Sequence, residues 1–226
     1  MISAVIVAAG RGTRMGPGVD KLFLPIHGVP VIAHTWRCMD GSPSIDDIIL
    51  VVREGWQDAF HDLAHRHGFH KPYRLVPGGK ERQDSVANGL AALSPNAQWV
   101  AIHDGARPCL SESALHRCLH AAYAHGAAVA AQRAVDTIKE ATPDGTIARH
   151  LDRSVLWTVQ TPQWFRVEII RRALAAVAAE GKTLTDDTAA CSWIGQSVHL
   201  VECPEPNLKV TSPGDLPIIE SLLRPF

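Results

Sequence analysis

The chain opens on Ile2-Ser3-Ala4-Val5-Ile6-Val7-Ala8-Ala9, an apolar run with almost no polar alternation that stops at Gly10. A strand with one wet face alternates apolar and polar residues, so an unbroken run fits a central parallel strand covered on both sides. Short apolar runs recur at residues 48–52, 74–76, 99–103, 127–131 and 198–201, with intervals long enough to hold helices. Two helix starts are explicit. Gln83-Asp84-Ser85 opens a stretch through Leu93, and Ser111-Glu112-Ser113 opens one through His125. A further helix is expected over residues 167–180, ahead of Thr185-Asp186-Asp187 and the last strand. This rhythm predicts an α/β fold with a mostly parallel sheet and crossover connections. Residues 134–160 break it, because Pro143-Asp144-Gly145 makes a turn between β-like flanks. The expected organisation is one domain over residues 1–226, with 134–160 as a projecting hairpin that needs a partner to stabilise it.

Composition narrows the class. With 46% hydrophobic and 20% charged residues, the chain reads as an ordinary globular protein, neither disordered nor membrane-spanning. Its apolar opening lacks a charged leader and falls far short of the roughly 20 residues that a membrane helix needs. A net charge of -1 gives no global attraction for nucleic acid or an anionic membrane, so any phosphate chemistry must come from locally gathered cations. The five cysteines are odd in number, widely spaced and without a C-x-x-C pair, which fits a reducing cytoplasm.

The candidate chemistry lies in loops that follow strands. Ligands of open α/β sheets bind outside the carboxyl ends of the strands, so the loops after Ala9, Val76 and His103 are expected to converge. Gly10-Arg11-Gly12-Thr13-Arg14-Met15-Gly16 misses the dinucleotide fingerprint: its third glycine comes one position late, and Pro17-Gly18 prevents an immediate helix. It also lacks the lysine spacing of a P-loop. What remains is a loop whose backbone N–H groups can face phosphates, with Arg14 and Lys21 on the same excursion. In His103-Asp104-Gly105-Ala106-Arg107-Pro108, Asp104 is placed either to ligate Mg²⁺ or to cap a turn paired with Arg107. His103 is expected to satisfy loop backbone, not to move protons. Lys209 interrupts a β-like run, Asn207-Leu208-Lys209-Val210-Thr211. His61, His65, His67 and His70 include an i, i+4 pair, but a solvated helix end is the expected reading.

Taken together these segments resemble the bacterial 2-C-methyl-D-erythritol 4-phosphate cytidylyltransferase family. The resemblance runs from Ala8-Ala9-Gly10 with Arg14 and Lys21, through Gly78-Gly79 and Arg82-Gln83-Asp84-Ser85-Val86, to His103–Pro108. It continues through Asp136-Thr137-Ile138-Lys139, Asp152-Arg153, Gln160-Thr161-Pro162-Gln163, Thr185-Asp186-Asp187 and Asn207–Thr211. It implies a Rossmann-like nucleotidyltransferase core, a cytoplasmic homodimer formed through the hairpin, and CTP with Mg²⁺ in the cleft. It further implies that Ala8, Ala9, Gly10, Gly12, Gly79, Ser85 and Asp104 hold the nucleotide, with Asp104 at the metal. Arg14, Lys21 and Lys209 would be catalytic. Arg107, Thr185 and Lys209 would face the sugar phosphate, and Thr137 and Arg153 would reach it from the neighbouring subunit. Thr13 and Lys80 depart from the family pattern, the first where some members have a second arginine and the second where an acidic residue can follow the glycine pair. The alternatives are a ribitol 5-phosphate cytidylyltransferase, which would differ in the acceptor pocket, and a non-catalytic nucleotide sensor, which would be expected to lose a reactive cation or the carboxylate. A glycosyltransferase would need a D-x-D motif near Asp104, which is missing.

Overall fold

The computed structural model describes residues 1–10 and 20–224. Gly12, Thr13 and Arg14 lie outside the described residues. In chain order the elements are β1 (Ile2–Val7), β2 (Pro25–Ile26), β3 (Val29–Pro30), α1 (Val31–Gly41), β4 (Asp47–Val52), α2 (Gln57–His67), β5 (Tyr73–Pro77), α3 (Arg82–Ala91), β6 (Trp99–Asp104) and α4 (Glu112–His125). There follow β7 (Ala127–Arg133), β8 (Lys139–Ala141), β9 (Ile147–His150), β10 (Trp157–Arg166), α5 (Val167–Ala179), α6 (Asp187–Trp193), β11 (His199–Glu202) and α7 (Asp215–Leu222).

One seven-stranded sheet, in the order β11-β7-β10-β6-β1-β4-β5, organises the chain. β1 lies between β4 and β6, parallel to both, with Val7 opposite Val51 on one side and Asp104 on the other. Its unbroken apolar run serves two cores at once. Ala4 and Ile6 pack with α1, α2 and α4 residues such as Trp36, Phe60 and Leu115, while Val5 packs on the other face with Val86 and Leu90 of α3 and Ile170 and Ala173 of α5. Successive strand side chains point to opposite faces, so a strand between two helical layers must be apolar at every position. The expected start and end of α4 are also met: the Ser111 hydroxyl accepts from Ala114 N at 3.1 Å, and Gly126, with φ of 80°, closes the helix in the left-handed conformation that favours glycine.

Three expectations change. The returning leg of the hairpin does not stop at Gln160; it continues as β10 to Arg166, antiparallel to both β6 and β7, and is the strand that makes the sheet mixed. The hairpin itself is the small β8–β9 pair, with exposed residues on both strands. Residues 207–211 form no strand, since Pro204 and Pro206 follow β11 and cannot donate to a ladder. No helix among the described residues is long and apolar enough to cross a membrane.

Candidate active site

β6, β1, β4 and β5 run parallel and end at one edge of the sheet, and the backbones leaving them are pinned close together. Gly78 N donates to Val52 O at 2.8 Å and Gly105 N donates to Val7 O at 2.9 Å. The glycine pair after β5 is required by that crowding. A Cβ on Gly78 would lie 2.2 Å from Ala9 Cβ, and one on Gly79 would lie 2.2 Å from Asp84 Cβ. Asp84 closes a capping box with Glu81 at the start of α3, and the Ser85 hydroxyl accepts from Gly79 N at 3.0 Å. Gly79→Ala is therefore expected to destabilise the fold by about 1–3 kcal/mol. A thermal melt checks this, and a wild-type Tm would contradict the crowding argument.

These turns surround a cleft of about 620 Å³, lined by Ala9, Gly10, Lys21, Gly79, Ser85, Asp104 and Lys209 among others. Each of those seven is a position singled out in the sequence. Among the described residues, four cationic ones, Lys21, Lys80, Arg82 and Lys209, line the cleft against two carboxylates, Glu81 and Asp104. Such a surface attracts a polyanion. Lys80, one of the two departures, thus adds to the positive lining.

Asp104 is the electrostatic centre. Its Oδ2 accepts from Lys209 Nζ at 2.6 Å and lies 3.8 Å from Arg107 Nε, while its Oδ1 is 3.4 Å from Arg82 Nε. Burial alone would raise its pKa, but Arg82, Lys209 and Arg107 hold the carboxyl well below the usual carboxylate range. It is ionised at any working pH. Among the described residues no cluster of three His, Cys, Asp or Glu side chains is arranged to hold a metal. A divalent ion here would take Asp104 and oxygens of a bound phosphate. That donor set suits Mg²⁺, which is commonly held by one or two carboxylates plus substrate phosphates.

Arg82 was quoted in a sequence motif without a role, and the fold gives it one. From the first turn of α3 it reaches Asp104 and, at 2.8 Å through Nη1, the buried Asp187 at the start of α6. Burial works against its charge, yet the two carboxylates outweigh it and raise its pKa. Thr161 is a second residue that the sequence left unassigned. Its hydroxyl oxygen accepts from Asp104 N at 3.1 Å and lies 3.0 Å from His103 Nδ1. With His103 Nε2 at 3.2 Å from Arg107 O, the ring donates from Nε2, and when neutral it accepts at Nδ1 from the Thr161 hydroxyl. Burial is the main reason that the His103 pKa falls from 6.5 to about 4.

A stability consequence follows from that ring. Above the ordinary value neither state binds the proton; between that value and the folded one the unfolded chain binds it and the folded chain does not. Stability is therefore lost as pH falls through this window, by up to roughly 3 kcal/mol. An NMR titration should show His103 still neutral at pH ~5, and a midpoint at the ordinary value would refute the neutral, buried assignment.

The segment that follows β11 is stitched to the rest of the cleft. Arg107 Nη1 donates to Asn207 O at 2.8 Å, Asn207 Nδ2 donates to Thr161 O at 2.7 Å, and Lys21 Nζ donates to Val210 O at 2.8 Å. Ala8 is buried just beneath the cleft, and Arg107 is largely covered behind Asp104. Thr185 is exposed in the turn before α6 and does not line the cleft. Thr137 and Arg153 are exposed on the arm, where Arg153 Nη1 donates to Val135 O at 2.6 Å. They too are absent from this protomer's cleft. In the histidine group, α2 ends at His67 and His61 Nδ1 is 2.8 Å from the Tyr73 hydroxyl, so that ring is engaged within the fold.

The family model described as 2-C-methyl-D-erythritol 4-phosphate cytidylyltransferase matches residues 2–225. A protein of that name from Dehalococcoides mccartyi is 44% identical over 223 residues, covering 99% of this chain and 96% of that one. One from Pelotomaculum thermopropionicum is 41% identical over 224 residues, covering 99% and 94%. Among solved structures, the 4-diphosphocytidyl-2C-methyl-D-erythritol synthase of Anaerococcus prevotii superposes with a TM-score of 0.87 at 28% identity, over 97% of this chain and 94% of that one. The 2-C-methyl-D-erythritol 4-phosphate cytidylyltransferase of Thermus thermophilus gives a TM-score of 0.77 at 28% identity, over 98% of each chain.

Proposed function

From its membership of the 2-C-methyl-D-erythritol 4-phosphate cytidylyltransferase family, to which the chain belongs over residues 2–225, we infer that it transfers the CMP moiety of CTP to 2-C-methyl-D-erythritol 4-phosphate. The products are 4-diphosphocytidyl-2-C-methyl-D-erythritol and pyrophosphate, a step of isoprenoid precursor synthesis. The observation that carries this reading is the cation-lined cleft at the carboxyl ends of β1, β5 and β6, with Lys21 and Lys209 both on its wall.

The reaction joins two anions. A phosphate oxygen of the acceptor attacks the α-phosphorus of CTP; the new P–O bond forms as the bond to the β-phosphate oxygen breaks, and pyrophosphate leaves with the electron pair. The nucleophile is already ionised near neutral pH, so no general base is required, in keeping with a His103 that is buried and neutral. The barrier is electrostatic, and fixed cations lower it by neutralising charge that grows in the transition state. Lys21 stands on the nucleotide side and Lys209, beside Asp104, on the acceptor side, with Arg14, between Gly10 and Lys21 in the sequence, as a third cation. Gly10 and Gly12 supply backbone N–H groups for phosphates, Gly79 and Ser85 the edge of the base site. Asp104 would hold Mg²⁺, which when bound supplies further charge neutralisation on the phosphates. Arg107 positions the acceptor loop through Asn207.

Thr137, Arg153 and Thr185 complete the acceptor site in a cytoplasmic homodimer, the first two from the partner's arm. The exposed apolar residues Val135, Ile147, Val155 and Val159 on and beside the arm support this, because an isolated two-stranded hairpin needs a partner to cover such a surface. A fully active monomer at assay dilution would contradict it. The decisive assay measures pyrophosphate release from CTP with methylerythritol phosphate and ribitol 5-phosphate side by side. Turnover with the first is the expected result, preference for the second would reassign the acceptor, and CTP binding without turnover of either would make the protein a sensor.

A further inference from the structure

The five cysteines look unrelated along the chain, yet the fold closes the 85-residue separation between two of them. Cys118 lies on the buried face of α4 and Cys203 directly follows β11, with Sγ atoms 3.9 Å apart. Both side chains are buried, but the neighbours of Cys203 along the chain, Glu202 and Pro204, are exposed, so the backbone that carries this sulfur runs at the surface. Arg117, next to Cys118, binds Glu205 through Nη2, and its Nε is a buried donor with no hydrogen-bond acceptor among the described residues. A thiolate on Cys203 would supply a negative charge beside that donor. Either thiol can donate in this contact, and the Arg117 guanidinium beside Cys203 favours the thiolate on that sulfur. One sulfur is thus the better nucleophile and the other the resolving thiol.

We propose that Cys118 and Cys203 form a modification site whose substrate is hydrogen peroxide and whose product is a disulfide tethering the Lys209 segment to α4. The Cys203 thiolate attacks one peroxide oxygen, forming an S–O bond as the O–O bond breaks; the departing hydroxide takes the proton that Cys203 released and becomes water. The Cys118 thiol then attacks the sulfenic sulfur, the S–S bond forms as the S–O bond breaks, and a second water carries away the Cys118 proton. The two sulfurs together lose two electrons and the peroxide gains them.

A disulfide bond is about 2.05 Å long, so the sulfurs must close by nearly half their present separation. α4 is a 14-residue helix packed into the core, whereas residues 203–210 are irregular, anchored at their ends by backbone bonds from Cys203 N to Ala131 O at 3.0 Å and from Val210 N to Ala106 O at 2.8 Å, and between them by side-chain bonds such as that from Gln132 Nε2 to Glu205 O at 3.2 Å. The movement therefore falls on the segment leading to Lys209. Misplacing a reacting group by about 1 Å costs up to about 100-fold in rate, so kcat/KM is expected to fall about 10–100-fold on oxidation. Only this kinetic consequence rests on the role given to Lys209 above; the thiol chemistry does not.

The test treats the full-length protein with a few equivalents of hydrogen peroxide and maps its peptides by mass spectrometry, with kcat/KM measured in parallel. Peptides containing Cys118 and Cys203 should be joined, dithiothreitol should separate them and restore activity, and Cys118→Ser should leave Cys203 as a sulfenic acid trapped by dimedone. If Cys118 and Cys203 stay reduced at doses that oxidise the half-buried Cys38 and Cys109, the site is refuted, and this measurement needs no variant. A cross-link that leaves kcat/KM unchanged would overturn the coupling to Lys209.

Discussion

Lys21→Ala is expected to lower kcat about 100–1000-fold, the loss seen when one preorganised group that stabilises transition-state charge is removed. Lys21 is a charge on the cleft wall, and its Nζ is held at 2.8 Å from the Val210 carbonyl, which ties it to the segment bearing Lys209. The same bond makes the side chain rigid, so its charge is in place before substrate arrives. Losing it should cost only about 1–3 kcal/mol of stability. Lys71 is the matched control: its Nζ also donates to a backbone carbonyl, Asp40 O at 2.6 Å, but away from the cleft. Lys71→Ala should match the stability loss of Lys21→Ala while leaving kcat unchanged. Wild-type turnover in Lys21→Ala would remove that lysine from the mechanism.

The largest effect on stability is expected at Arg82. Asp187 is 1% exposed, its Oδ2 is bound by Arg82 and its Oδ1 has no hydrogen-bond partner among the described residues. Arg82→Met leaves that carboxylate buried without its cation and takes one of three positive neighbours from Asp104. Breaking a buried pair from one side costs about 3–5 kcal/mol. In a chain of this size that lowers Tm by about 6–20 °C. Adding Asp187→Asn should recover much of the loss, because the residual charge is then gone. A calorimetric scan of Arg82→Met that overlays the wild type would disprove the account, as would a double variant less stable than the single one.

Much of the framework was legible locally. The run Ile2–Ala9 declared a strand buried on both faces, and Ser111-Glu112-Ser113 marked the start of a helix through His125, as α4 has it. β10 was hidden because its middle, Gln160-Thr161-Pro162-Gln163, is polar and contains a proline, which reads as loop. The structure tolerates it through a register shift between Val159 and Gln163, and buries Thr161 where its hydroxyl organises His103 and Asp104. The polar residues that made the strand illegible are the ones that serve the site. Arg82 was visible only as part of a motif, since its two carboxylates lie 22 and 105 residues away.

The sequence by itself determined the parallel strands of the main sheet, the helices α3, α4 and α5 and the loops that bear glycine and charge, because these depend on side-chain period, capping and backbone freedom within a few residues. It also singled out Lys21, Gly79, Ser85, Asp104 and Lys209, which the fold places on one cleft. Only the tertiary structure decided the rest: the antiparallel β10, the three cations around Asp104, the neutrality of His103 and the meeting of Cys118 with Cys203. Each of these depends on distances across the chain and on the loss of water around buried charge, which no local pattern of residues encodes.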